Sequence, residues 1–330
     1  MAPKDLFTQQ AFLSQVKDLA SPGISLADEL SDLLGISTDS VYRRLRGETA
    51  LSIDETAMIC RHFHIPPESI ISASSGTVTF EYQSFGNQIV EFGKYLEDLR
   101  HDLRRIKQVP GMKIIYAAED IPFFHHFQFK ETSGFKMYYW MRSLMNVDSL
   151  QSAPFSIDLI PEDYYEMGKE ILDLYYQIPS VEIWSDQTVS SILKQIRFCA
   201  DSGMFSTKEA AIAVRDQLLE EMSRIQKKAE SGSKLENRED SNPNFFLYFS
   251  EIEIGNNCIY VSDGQNARVY LRHFTFNYLK TSNPAFCQET HEWLDYLIRK
   301  SIPLSGVSEK HRTRFFMDIR NSIEELKKTL

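Results

Sequence analysis

The chain predicts a mainly α protein: a compact bundle of four helices at the N-terminus, then a mostly helical region holding a small antiparallel β-sheet (α+β). Three observations carry this expectation. Four short amphipathic segments, each with a start or stop signal, fall within the first 65 residues. Apolar residues then recur from Phe85 to Ile106 with alternating spacings of four and three. After Phe245 the pattern changes to β-rich runs broken by residues that tight turns require.

The first helix spans residues 8 to 20, with Phe12, Leu13, Val16 and Leu19 on one face and "SPG" at 21 to 23 as its stop. A second starts at Ser25, capped with Asp28, buries Leu26, Leu30, Leu33 and Leu34, and ends at Gly35. Ser37 caps a third that runs to about Arg46, where Gly47 ends it. Ser52 caps a fourth, from about Ile53 to His64, closed by "IPPES". "SASSGTVT", residues 72 to 79, reads as a linker.

Beyond it, Phe85, Ile89, Phe92, Leu96, Leu99, Leu103 and Ile106 form a heptad seam closed by "VPG". Such a seam wants another helix, supplied either by a second protomer or by the chain's own domain. "MKIIYAA" predicts a short strand, "FFHHFQF" and "FKMYYWMRSLM" helical pieces. Helices follow at about 161 to 178, 187 to 201 and 207 to 228, the last begun by the capping box Ser206-x-x-Glu209. The polar run 227 to 244 predicts a loop. "FFLYFSEIEI", "CIYV" and "ARVYLRHFTFNYL" give the small antiparallel sheet. Two helices finish the chain, one starting near Ser282 and burying Trp293, Leu294 and Leu297, the other carrying Phe315, Ile319, Ile323 and Leu326.

Composition narrows the function. At 330 residues, with 42% apolar, 25% charged and 12% aromatic content, the chain predicts two or three packed domains. Neither an apolar leader nor a run long enough to cross a bilayer is visible, so a cytoplasmic protein with no membrane association is expected. Cys60, Cys199, Cys258 and Cys287 lack metal-binding spacing and predict buried reduced thiols. His62 with His64 and His125 with His126 lack helical metal-ligand spacing, so no metal is expected. There is no GxGxxG, GxxxxGK[ST], GxSxG or HExxH. No cofactor and no enzymatic activity are therefore expected.

What stands out is "LGISTDSVYRRLRGETALS", residues 33 to 51, with three arginines on one short helix of a chain whose net charge is −10. Two helices around a glycine turn, the second bearing basic residues opposite its apolar anchor Val41, make a helix-turn-helix. "SLADELSDLLGISTDSVYRRLRGETALSIDETAMICRHFHI", 25 to 65, resembles the DNA-binding domain of the phage-repressor-like (XRE-type) helix-turn-helix family, with Leu30, Leu34, Gly35, Ile36, Val41 and Gly47 at that family's positions. Ser31 stands where the family favours Ala, and Arg44 where it usually has an apolar residue. The resemblance implies double-stranded DNA as partner, with Thr38, Asp39 and Arg43 at base edges and Ser40, Tyr42, Arg44 and Arg46 on the backbone. The helix N-terminus and the Ser37 hydroxyl suit a phosphate.

Charge sets a condition. Residues 1 to 75 hold six Lys or Arg against ten Asp or Glu, a net of −4, yet residues 37 to 47 hold three Arg against Asp39. Modest non-specific affinity is expected, with a homodimer engaging a palindromic pair of half-sites. "AEDIPFFHHFQFKETSGFKMYYW", 118 to 140, resembles a stretch of helix-turn-helix regulators typical of Bacteroidetes that carry a large C-terminal region. On the residues themselves, its aromatics and His125 and His126 read as core. "LSGVSEKHRTRFF", 304 to 316, groups Ser305, Ser308, Lys310, Arg312 and Arg314 as an anion-site candidate, or as a solvated basic helix start, which is favoured. The expected organisation is a DNA-binding domain over 1–75, a linker and heptad helix over 76–110, and a sensor or oligomerisation region over 111–330 that answers an unknown small-molecule or protein effector. Two other classes stay open: a scaffold whose bundle meets a protein partner, and an enzyme of unfamiliar type in residues 110 to 330.

Overall fold

The computed structural model describes residues 6–19, 25–63, 65, 77–84, 88–235, 243–274 and 276–328. The chain forms two compact units, one running to Thr79 and including Asn283–Ala285, the other made of Phe80–Ser282 and the residues from Phe286 on. The expected contributions of Leu19, residues 21–23, His64, residues 66–69, most of the 72–79 linker and Phe85 lie outside the described residues.

Four helices build the first unit: α1 (Leu6–Leu19), α2 (Leu26–Leu34), α3 (Thr38–Leu45) and α4 (Ile53–His62). Phe12, Leu13, Val16, Leu30, Val41, Ile59 and Cys60 meet in one apolar cluster, because each helix presents its apolar residues at three- and four-residue spacing. The caps set the helix ends. Ser25 precedes α2 without a side-chain cap, so the expected capping box with Asp28 is absent; its carbonyl accepts from Asp28 N at 2.9 Å instead. Gly35 follows α2 at φ +67°, a conformation side chains resist, and turns the chain toward α3. Ser37 accepts from Ser40 N, and Ser52 forms a reciprocal capping box with Glu55.

The second unit corrects the expected fold class. Its sheet is neither small nor wholly antiparallel: seven strands run in the order β6-β5-β4-β1-β2-β3-β7. These are β1 (Lys113–Ala118), β2 (Ser180–Trp184), β3 (Phe245–Phe249), β4 (Cys258–Ser262), β5 (Ala267–His273), β6 (Asn277–Thr281) and β7 (Ile302–Pro303). β1, β2 and β3 pair in parallel, Ile114 opposite Ser180 and Ser180 opposite Phe245, while the other pairs are antiparallel. Parallel pairing needs crossover connections, and helices supply them. From β1 the chain returns through α6 (Phe123–His126), α7 (Lys130–Ser143) and α8 (Glu162–Gln177); from β2 it returns through α9 (Ser190–Asp201) and α10 (Lys208–Ser231). The polar residue at the centre of "SVEIW" hid β2 from a hydrophobicity reading.

Alternation along the strands divides the core in two. Ile114, Tyr116, Ala118, Trp184, Phe245 and Leu247 join the larger cluster, which takes in α5 (Ile89–Gln108), α7, α8, α9, α10 and α12 (Glu309–Glu325). Ile115, Ala117 and Ile183 point the other way, onto Cys287, Leu294 and Leu297 of α11 (Pro284–Lys300). Trp293, expected in that core, is 44% exposed. The N-cap of α10 is Thr207 rather than Ser206.

The heptad seam resolves to the intramolecular reading for its described part. Phe92, Leu96 and Leu103 are buried in the unit's own core, with Ile89, Leu99 and Ile106 packed against it. α5 lies closely on α8: a Cβ at Gly93 would strike the Tyr164 ring, whose hydroxyl donates to Ile89 O at 2.9 Å. All four cysteines are buried and unbridged.

Candidate nucleic-acid interface

α3 is held by one face and open on the other. Val41 is 1% exposed in the bundle core, whereas Asp39, Tyr42, Arg43 and Arg46 lie along the solvent side at helical spacing. Ser37 is exposed, its hydroxyl 2.9 Å from that of Ser40; Thr38 and Ser40 are half-buried. The structure thus brings the predicted residues into one surface, with one exception in orientation.

That exception is Arg44. Its guanidinium donates through Nε and Nη2 to both carboxylate oxygens of Glu55, at 3.2 and 2.7 Å, and through Nη1 to Ser40 O at 3.1 Å. Both side chains of the pair are 17% exposed. Burial acts to raise the Glu55 carboxyl, but the Arg44 hydrogen bonds and the Ser52 N–H outweigh it and hold it below its ordinary value. A planar fork against a carboxylate is a strong, oriented pair. Arg44 therefore ties α3 to α4, and the expected backbone contact is not where its side chain points.

The other two arginines are exposed and paired more loosely. Arg43 Nε lies 3.3 Å from Asp39 Oδ2. Arg46 donates to Glu48 at 2.6 and 3.1 Å, a hydrogen bond that keeps the Glu48 carboxyl below its ordinary value. Solvated pairs of this kind exchange partners at little cost, so a phosphate can replace either carboxylate.

Gln9, on α1, carries no charge and went unnoticed in the sequence. Its amide nitrogen donates to Arg44 O at 3.0 Å and Thr49 O at 2.9 Å, and its oxygen accepts from Leu51 N at 2.8 Å. Three backbone groups at the end of α3 are thereby fixed by one side chain. Glu55 had a signal, as the capping-box partner of Ser52; Gln9 had none.

The second unit buries several polar groups. Glu182 on β2 is fully buried and accepts from His125 Nε2 at 2.8 Å, Trp184 Nε1 at 2.8 Å and the Tyr175 hydroxyl. Burial acts to raise the Glu182 carboxyl; His125, Tyr175 and Lys234 outweigh it and the group sits below the ordinary range. Lys234 donates to Tyr175 O, Ile178 O and Ser180 Oγ at 2.7, 2.5 and 2.9 Å, and burial pushes its amine down to about 7. His126 pairs with Glu221 at 3.0 Å. In the segment 304–316, Arg312 is buried and donates to Leu304 O and Gly306 O, and Ser305 Oγ accepts from Leu247 N, so these two groups brace the fold. Among the described residues no group of three or more His, Cys, Asp or Glu is placed to hold a metal, and no helix is long and apolar enough to cross a membrane.

α2 and α3, joined through Gly35, with the capped α3 bearing the arginines, have the arrangement of a helix-turn-helix. Residues 9–84 match the family model of the BetR domain, a helix-turn-helix DNA-binding domain; the span is under a quarter of the chain. The match supports a DNA-binding regulatory role without singling out the phage-repressor type. No curated protein and no solved structure matches the chain.

Proposed function

We propose that the chain is a sequence-specific transcriptional regulator of the cytoplasm that places α3 in the major groove of duplex DNA. The observation that carries this reading is the open face of α3, where Arg43 and Arg46 reach solvent while Gln9 and the Arg44–Glu55 pair fix the helix behind them. Arg43 suits the paired acceptors of a guanine, and Thr38 and Asp39 stand beside it for neighbouring base edges. The α3 N-terminus with Ser37, and Ser40, Tyr42 and Arg46, serve the phosphates. Arg44 positions the helix.

One helix reads too few base pairs for genomic selectivity, so the chain works as a homodimer on a palindromic site. Since the described α5 seam is spent inside its own unit, the pairing surface lies elsewhere. The second unit is regulatory rather than catalytic. Selection of bound sequences from a random duplex pool by the full chain, followed by a salt titration, tests the reading. A shared inverted repeat, with affinity falling steeply as salt rises, supports it; recovery of unrelated sequences, or indifference to DNA in dilute buffer, overturns it.

A further inference from the structure

Between α5 and the sheet lies a cavity of about 70 Å³. At roughly 10–15 Å³ per water-sized position, it has room for a group of about five heavy atoms. It is partly open to solvent, and its walls are almost wholly apolar, which disfavours ordered water as the occupant. The tyrosines that reach it are already partnered: Tyr116 and Tyr278 share a hydroxyl contact at 3.0 Å, and the Tyr95 hydroxyl donates to Phe276 O at 3.3 Å. The single charged lining residue is Asp102, half-buried on α5. Its carboxylate has no hydrogen-bond partner among the described residues; Arg268, whose charge it feels, is bonded to Tyr270. The charge of Arg105, also on α5, acts on the Tyr270 hydroxyl as well.

We propose that this cavity is a ligand site for a compact aliphatic amine, its branched apolar end among Leu99, Ile259 and Tyr116 and its ammonium on Asp102. The apolar walls take the aliphatic end and Asp102, the one charged residue among them, takes the ammonium, while Arg268 and Arg105 are not part of the lining. The elements that form the walls also hold the segment following the first unit. β6 carries Tyr278 at the cavity and, two residues on, Lys280, which exchanges both backbone hydrogen bonds with Glu81 at 2.8 and 2.9 Å and pairs with its carboxylate at 3.2 Å. Asn277, the first residue of β6, donates to Gln83 O at 2.6 Å. An occupant pressing on α5 and β6 therefore acts on the two elements that anchor residues 81–83. As an effector site the proposal rests on the regulator reading; as a binding site it does not.

The full chain is titrated with isobutylamine and, in parallel, isobutyrate, by saturation-transfer NMR and thermal shift, and its retention on selected duplex DNA is measured with and without the amine. Leu99→Phe and Ile259→Phe each fill the cavity from one wall, so either one that keeps the parent's circular dichroism serves as the blocked variant. Saturable isobutylamine binding, lost in the blocked variant and weakened about tenfold or more by Asp102→Asn, is the expected result. Binding that persists in the blocked variant, isobutyrate binding as tightly as the amine, or no amine binding by a chain that retains DNA overturns the site. Amine binding by a chain that ignores DNA keeps the site and overturns the regulator reading.

Discussion

At the scale of single residues, the three arginines of α3 are chemically alike and structurally distinct. Arg43→Ala should cost about 1–3 kcal/mol in binding the selected site and relax preference at one base position, as measured by competition with singly substituted duplexes. Arg46→Ala should weaken all duplexes alike and lower the slope of log affinity against log salt by about one. Arg44→Ala behaves differently, because its guanidinium faces Glu55 rather than solvent. It should speed amide exchange in α3 and α4, reflecting a loss of about 1–2 kcal/mol, and leave the salt slope unchanged. A slope reduced as in Arg46→Ala would mean that Arg44 meets phosphate after all. The sequence predicts all three on one helix; Arg43 and Arg44 lie within α3 and Arg46 is its C-cap. It assigns Arg44 the same backbone role as Arg46, since the partner that turns it inward lies eleven residues away on another helix.

The elements differ in how far their own residues determine them. α3 and α4 were legible because serine caps, Gly35 and apolar spacing are local signals that agree. β2 was not, because Glu182 interrupts an otherwise apolar run, and the donors that make its burial tolerable come from His125, Tyr175 and Trp184, the first two on other elements. The described seam of α5 was legible as a seam but not as an intramolecular one, since the same spacing serves a partner helix from either source. Gln9 illustrates long-range fixation of an element end. Gln9→Ala leaves Thr49 O and Leu51 N to find water, while Arg44 O keeps the Gly47 N–H at 3.0 Å, and should accelerate exchange of the Leu51 N–H while costing about 1–2 kcal/mol. DNA affinity should fall with the salt slope intact, because a positioning residue has been lost rather than a phosphate contact. Unchanged Leu51 exchange would remove Gln9 from this role.

Across the whole molecule, the charge exposed on α3 contrasts with ionisable groups buried in the second unit, and the buried ones make stability depend on pH. The Lys234 amine, pushed down to about 7 in the folded state, lies near 10.4 when unfolded. Its protonated form therefore opposes folding: the penalty is complete below pH about 7 and disappears above the unfolded value, so this group makes stability rise with pH between the two. Urea unfolding at intervals from pH 7 to 9.5 should show Lys234→Met with a flatter rise than its parent, by up to about 1.4 kcal/mol per pH unit; parallel curves would place the amine's titration outside this window. The buried cysteines have a different consequence. Thiolate is the species that alkylating reagents attack, and burial pushes Cys199 up to about 11 and Cys258 up to about 12. In the native protein at neutral pH these sulfurs are shielded twice, by enclosure and by protonation, so iodoacetamide labelling becomes a clock for opening. With Cys60 reporting on one unit and Cys199, Cys258 and Cys287 on the other, mass spectrometry of a labelling time course should reveal which half of the chain comes apart first.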